Sequence, residues 1–263
     1  QGSDQLIGSK YADDIFGKGG DDTISGRGGR DLLSGGTGSD RLFGGAGRDQ
    51  LYGDSGIGRL KGDVGDDRLW GGVGNDLLFG GKGQDTLSGG DDQDRLKGGA
   101  GRDLLRGDGK RDQLIGGSGD DILKGGNGHD NLRGNDHNDR FNGNRGDDAL
   151  FGGRGADVLN GARGKDRLFG NRGEDTLEGG GGRDVLTGGR GLDTFVFNAS
   201  SGKDRITDFG AGETIEIASG ANQFSDLSLK NTSEGTQVSF RTVKILVEDV
   251  RVSDLGADDF TFS

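Results

Sequence analysis

Twenty aspartates recur at a constant interval of nine residues: Asp13, Asp22, Asp31, Asp40, Asp49, Asp67, Asp76, Asp85, Asp94, Asp103, Asp112, Asp121, Asp130, Asp139, Asp148, Asp157, Asp166, Asp175, Asp184 and Asp193. The one missing member of the series is Gly58. Carboxylate oxygens are hard donors, and the chain has no cysteine and only two histidines, His129 and His137, in no zinc spacing. The chemistry this donor set suits is a hard divalent cation, not zinc or a redox metal. Catalysis has no comparable signal. Nothing like G-x-S-x-G or H-E-x-x-H stands out, nor does an isolated carboxylate pair, and the P-loop pattern is absent, so an enzymatic or nucleotide site is not expected in these residues.

The aspartates belong to a longer period. From Gly8 to Val196 a nine-residue unit repeats 21 times without insertion or deletion, with Gly always first, Gly usually fourth, Asp sixth, and Ile, Leu or Phe eighth. Residues 1–7 read as the end of one more unit. Such a period dictates a stacked array. Each unit is read as six turn residues and a three-residue strand; glycines at positions one and four permit the positive φ of a tight turn, and the eighth residue points inward. Two units make a coil of eighteen residues. At about 4.8 Å per coil the array would be a rod of roughly 50 Å, with two parallel sheets enclosing a thin apolar core.

Units n and n+2 then lie above one another, so their sixth-position carboxylates stack along each edge. Close carboxylates repel unless a cation lies between them, and flexible all-oxygen turns suit Ca²⁺ better than Mg²⁺. Nineteen n/n+2 pairs are possible, and Gly58 removes two, leaving 17 expected sites. Composition agrees. Only 28% of residues are hydrophobic, 61 are glycine, and the formal charge is −12, so the cation-free chain is expected to be largely disordered. No apolar run approaches a membrane span. The chain begins at Gln1 without a charged-then-apolar leader, which reads as a processed chain or a fragment.

The unit Gly71-Gly72-Val73-Gly74-Asn75-Asp76-Leu77-Leu78-Phe79 resembles the nonapeptide of RTX (repeats-in-toxin) calcium-binding proteins, and the likeness covers 189 of 263 residues. What the resemblance implies is an all-β, right-handed parallel β-roll over residues 1–196 with calcium between successive turns, and export by the type I secretion machinery to the extracellular space. Residues 197–263 are expected to form a β cap over the roll's open end. Within them, the stretch from Leu255 to Ser263 is similar to the uncleaved C-terminal ends of type I substrates. The unit departs from the family pattern at position four in Tyr11, Asp92, Lys110 and His137, and position two is Gly in only 11 units. These departures bear on single sites rather than on the roll.

Outward positions seven and nine carry eleven basic residues and two acidic ones. Even-numbered units place Arg41 with Phe43, Arg59 with Lys61, Leu77 with Phe79, and Arg95 with Lys97 on successive rungs of one face. That face could bind an acidic polysaccharide or cell surface, cations on acid groups and rings on sugar faces, or it could simply be solvated. Nucleic acid fits an exported, calcium-loaded chain poorly. Three functions follow: a calcium-folded secreted scaffold, the C-terminal part of a larger secreted enzyme or toxin (protease, lipase, alginate epimerase or pore-former), or a polysaccharide-binding or adhesin module.

Overall fold

The computed structural model describes residues 2–263, and the chain forms two compact units, Gln1–Asp136 and His137–Ser263. In the first, one parallel sheet runs in the order Gln5–Ile7, Thr23–Gly29, Arg41–Gly47, Arg59–Val64, Leu77–Lys82, Arg95–Ala100, Gln113–Ser118, Asn131–Asp136. The second sheet takes the alternate strands, from Asp14–Gly19 through Arg68–Val73 to Ile122–Asn127. Neighbouring strands pair eighteen residues apart, as in Leu78 opposite Leu96 and Leu87 opposite Leu105, which is the coil length the period requires. Gln5–Ile7 pairs with Thr23–Ser25, so the residues before Gly8 do occupy a rung.

Most strands of the coils are six or seven residues long, not three, although Gln5–Ile7 and Gln50–Tyr52 keep three. Leu77–Lys82, for example, joins positions seven to nine of one unit to positions one to three of the next. Pairing continues through the glycines, with Gly81 opposite Gly99 and Lys82 opposite Ala100, because the backbone groups of positions two and three also find partners one coil away. Only positions four to six are left to turn.

Along each strand the inward residues are the eighth-position aliphatics, which are buried from Ile24 to Phe195. Alternation places positions six and one on the same inward side. The glycines divide by role in a way the sequence reading did not anticipate. From the second unit on, positive φ falls at positions two and four whatever the residue, including Lys18 (77°), Asp63 (79°), Asn144 (73°) and His137 (81°). Position-one glycines such as Gly17 and Gly80 are absent from that set. They are small for a different reason, given below.

In the second unit the parallel coils continue past Val196. Thr194–Phe197 pairs with Thr214–Ile217, which pairs with Phe260–Phe262; Val185–Arg190 pairs with Lys203–Ile206, which pairs with Val243–Glu248. Only then does the direction change: Val243–Glu248, Gly235–Phe240 and Ser228–Asn231 form an antiparallel meander. Its inward side buries Val238, Phe240, Val243, Ile245 and Val247. Among the described residues no helix is long and apolar enough to cross a membrane.

Candidate metal centre

The sixth-position aspartates lie inside the roll. Nineteen of the twenty, Asp22 to Asp193, are 0–3% exposed, whereas the sequence reading had put the acid at the turn edges. The cause is a contact between coils. The backbone N–H of one sixth residue donates to Oδ1 of the aspartate eighteen residues later, as Asp22 to Asp40 (2.8 Å), Asp67 to Asp85 (2.8 Å) and Asp157 to Asp175 (2.8 Å). That bond turns the carboxylate inward and satisfies a backbone donor that would otherwise be buried alone. Asp13, in the first unit, is half-buried, and Ser9 donates to its Oδ2 from both N–H and hydroxyl (2.6 and 2.9 Å).

The second oxygen is the chemically informative one. Oδ2 is buried without a hydrogen-bond partner in Asp22, Asp31, Asp40, Asp49, Asp67, Asp76, Asp85, Asp94, Asp103 and Asp112, and in Asp157, Asp166, Asp175, Asp184 and Asp193. An orphaned buried carboxylate oxygen costs several kilocalories per mole, so fifteen of them demand a compensating charge. Each Oδ2 looks onto the position-one glycine of its own unit. A Cβ on Gly17 would collide with Asp22 Oδ2 and lie 2.7 Å from the Gly35 carbonyl oxygen; a Cβ on Gly80 would meet Asp85 Oδ2 and the Gly98 carbonyl at 2.7 Å. Position one is therefore glycine because a side chain there would fill a space bounded by a carboxylate oxygen and a carbonyl oxygen. No group of three His, Asp or Glu side chains gathers among the described residues, so any ion must be held by carboxylates with backbone carbonyls. An all-oxygen lining of this kind fits Ca²⁺.

Burial dominates the electrostatics. It raises Asp67, Asp85, Asp94, Asp103, Asp166 and Asp175 to about 7 and Asp112 to about 8; the N–H bond from the preceding coil opposes this, and neighbouring aspartates add to it. In the absence of a cation these groups would draw protons.

The family model of the RTX calcium-binding nonapeptide repeat matches the chain in successive segments, 1–33, 26–60, 52–87, 61–96, 88–123, 97–132, 133–168 and 160–195. The chain belongs to the RTX calcium-binding nonapeptide repeat family. No curated protein matches it. Among solved structures it is similar to the extracellular lipase LipA from Serratia marcescens, with 18% identity and a TM-score of 0.30 over 65% of this chain and 40% of that one. It is also similar to the AlgE6R3 subunit of the Azotobacter vinelandii mannuronan C5-epimerase, with 27% identity and a TM-score of 0.30 over 49% of this chain and 81% of that one. The RTX chain thus spans 40% of the length of the lipase.

At Gly58 the RTX ladder is interrupted but not broken. The Gly58 N–H still donates to Asp76 Oδ1 (2.7 Å), while Asp40 has no carboxylate from the next coil to receive its own N–H. Leu60 Cδ1 lies 2.9 Å from where a Gly58 Cβ would stand. His129 and His137 are exposed.

The predicted outward ladder assembles as expected. Arg41 stands opposite Arg59, Arg59 opposite Leu77 and Leu77 opposite Arg95; Phe43 faces Lys61, Lys61 faces Phe79, and Phe79 faces Lys97. Phe43 is 37% exposed, and Lys61 is paired with Asp63. On the opposite sheet Tyr52 and Trp70 stack with centroids 4.5 Å apart, a pair the sequence reading missed although both hold position nine, eighteen residues apart. Two buried acids were missed as well: Asp204 and Glu213 lie beyond the last unit, displaced two residues from the nine-residue grid.

Proposed function

We propose that this RTX chain is a non-catalytic, calcium-folded module whose coils close only when Ca²⁺ neutralises the buried aspartate columns. The observation that carries this is the orphaned Oδ2 repeated at successive rungs against a glycine-walled space. Asp and Gly-carbonyl oxygens would hold the ions, and the ions would supply the positive charge the interior lacks. The Asp–Asp pairing supports about 17 ions by the arithmetic above, 19 pairs less the two that include Gly58. Folding coupled to binding suits export, because a chain that stays unfolded at low calcium can be threaded through a type I channel and then fold outside. The module would act as an extracellular scaffold, or as the C-terminal part of a larger secreted enzyme or toxin.

The test is circular dichroism during a calcium titration at neutral pH. A mostly disordered chain in chelator should gain β signal cooperatively in millimolar Ca²⁺ and not in equal Mg²⁺; full β signal in chelator would overturn the reading.

A second reading has its own support in the register of the outward ladder. With the interior acid neutralised by calcium, Arg41, Arg59, Lys61, Arg95 and Lys97 beside Phe43 and Phe79 would present a cationic, part-aromatic face to an acidic polysaccharide. Binding to a polyuronate at low salt should be lost when those five bases are changed to Ser, and equal binding by the variant would leave this face as a solvated surface.

A further inference from the structure

The ladder of buried carboxylates does not stop with the last nonapeptide. Gly202-Lys203-Asp204-Arg205-Ile206 keeps three positions of the unit, the fourth, sixth and eighth, at their native spacing. The whole piece is displaced by two residues. The extra length is absorbed in the turn from Asn198 to Ser201, where the Ser201 N–H donates to the Asn198 carbonyl (3.0 Å) and the Asn198 N–H to Ser201 Oγ (2.9 Å). Beyond that turn the register is restored, with Arg205 opposite Val185 and Ile206 opposite Leu186.

Asp204 consequently sits where a further repeat aspartate would. The Asp184 N–H donates to Asp204 Oδ1 at 2.9 Å, the same bond that links the repeat aspartates. Asp204 is 2% exposed, and its Oδ2 and that of Asp184 are both buried without a hydrogen-bond partner. The bond between the coils therefore sets two orphaned carboxylate oxygens on neighbouring rungs. The nearby bases do not neutralise them. Arg205 is paired with Glu248, and Lys203 is exposed. Two buried carboxylates on neighbouring rungs require either a shared proton or a cation.

The other buried acid past the repeats makes a useful contrast. Glu213 stands on the rung of Asp193, but its Oε2 accepts the Gly210 N–H at 2.7 Å. Glu213 Oε2 thus has a donor in its own turn, whereas Asp204 Oδ2 has none.

We infer that Asp184 and Asp204 hold one further calcium ion, outside the nonapeptide array, and that this ion fastens the C-terminal meander to the coils. The strand that bears Asp204 pairs on its other side with Val243–Glu248, Asp204 lying opposite Ile245, so an ion on Asp204 bears directly on the first strand of the meander. The inference rests on the reading that RTX rungs in this chain take calcium.

A crystal of the full chain grown with calcium decides it. An anomalous peak between Asp184 and Asp204 is the expected result; peaks along the repeat rungs with none at this pair would overturn the inference alone, and no peaks anywhere would overturn the reading beneath it. In solution, Asp204→Asn keeps the Oδ1 acceptor for the Asp184 N–H and removes the charge. At saturating calcium it should speed amide exchange in 203–206 and 243–248 about tenfold and leave strands 77–127 unchanged, because local opening free energy there includes the ion's contribution. Unchanged exchange in 243–248 would mean that a shared proton, not an ion, neutralises the pair.

Discussion

The repeat coils and the C-terminal segment are built from the same parallel strands but bury opposite things. Between Asp22 and Phe195 the interior holds nineteen aspartates and twenty apolar side chains, close to one charge for each Leu; from Phe197 onward it holds twelve apolar residues and two acids, Asp204 and Glu213. A fully buried Leu contributes about 1.5–3 kcal/mol. An unpaired buried carboxylate opposes folding by several kcal/mol. The coils therefore cannot close on bare carboxylates, whereas the C-terminal segment folds chiefly on apolar burial. On the proposed reading, one chain contains a region whose order depends on an external ion and a region that folds chiefly on apolar burial.

Proton uptake should expose that difference most strongly. Burial lifts the coil aspartates to about 7, and Asp112 to about 8, from an ordinary value of 3.8, so the cation-free fold holds protons that the unfolded chain has already released. Their contribution to cation-free stability is fully present below about pH 3.8 and is lost as pH rises through 7 to 8. In chelator the chain should accordingly show more β signal by circular dichroism at pH 5 than at pH 8. Less signal at pH 5 would mean that the buried carboxylates do not govern coil folding, and the contrast with the C-terminal segment would collapse.

The two positions that open each unit provide a sharper probe. At Gly98, a Cβ would collide with Asp103 Oδ2, so Gly98→Ala should destabilise the calcium-loaded chain by about 2 kcal/mol and raise the calcium midpoint. The adjacent Gly99 stands at φ 127°, where a Cβ would meet the Gly81 carbonyl oxygen, but side chains are accommodated at the same position at φ 73° (Asn144) and 76° (Asn171), so a turn of the backbone admits one. Gly99→Asn should therefore cost no more than about 1 kcal/mol. Urea denaturation of both variants in saturating calcium compares them, and equal losses would contradict the distinct roles assigned to positions one and two.

The smallest effect is expected at the gap in the ladder. Gly58→Asp would restore an acceptor for the Asp40 N–H and a carboxylate between Asp40 and Asp76, but Leu60 Cδ1, 2.9 Å from the new Cβ, must first rotate away. The far end of a leucine moves readily, so a net gain of about 0.5–1 kcal/mol in calcium is expected. A loss measured by thermal unfolding would show that Leu60 cannot leave the space.

Much of this was legible in the residues alone. The unbroken nine-residue period determined the coil of eighteen, the inward leucines, the pairing of each aspartate with the one eighteen residues on, and the rung order of Arg41, Arg59 and Arg95, because a repeat without insertions leaves one register that keeps every apolar residue inside. The spacing did not reveal which way the carboxylates turn. Their direction is set by an N–H from the coil before, and that contact exists only once the coils are stacked. The same holds for the position-one glycine, whose constraint is an oxygen atom rather than a torsion angle, and for Asp204, which the two-residue shift removes from the grid and which a turn from Asn198 to Ser201 returns to the ladder. Periodicity is a property of the chain and can be read along it; the neighbours that make a buried charge tolerable come from other coils, and only the folded structure brings them together.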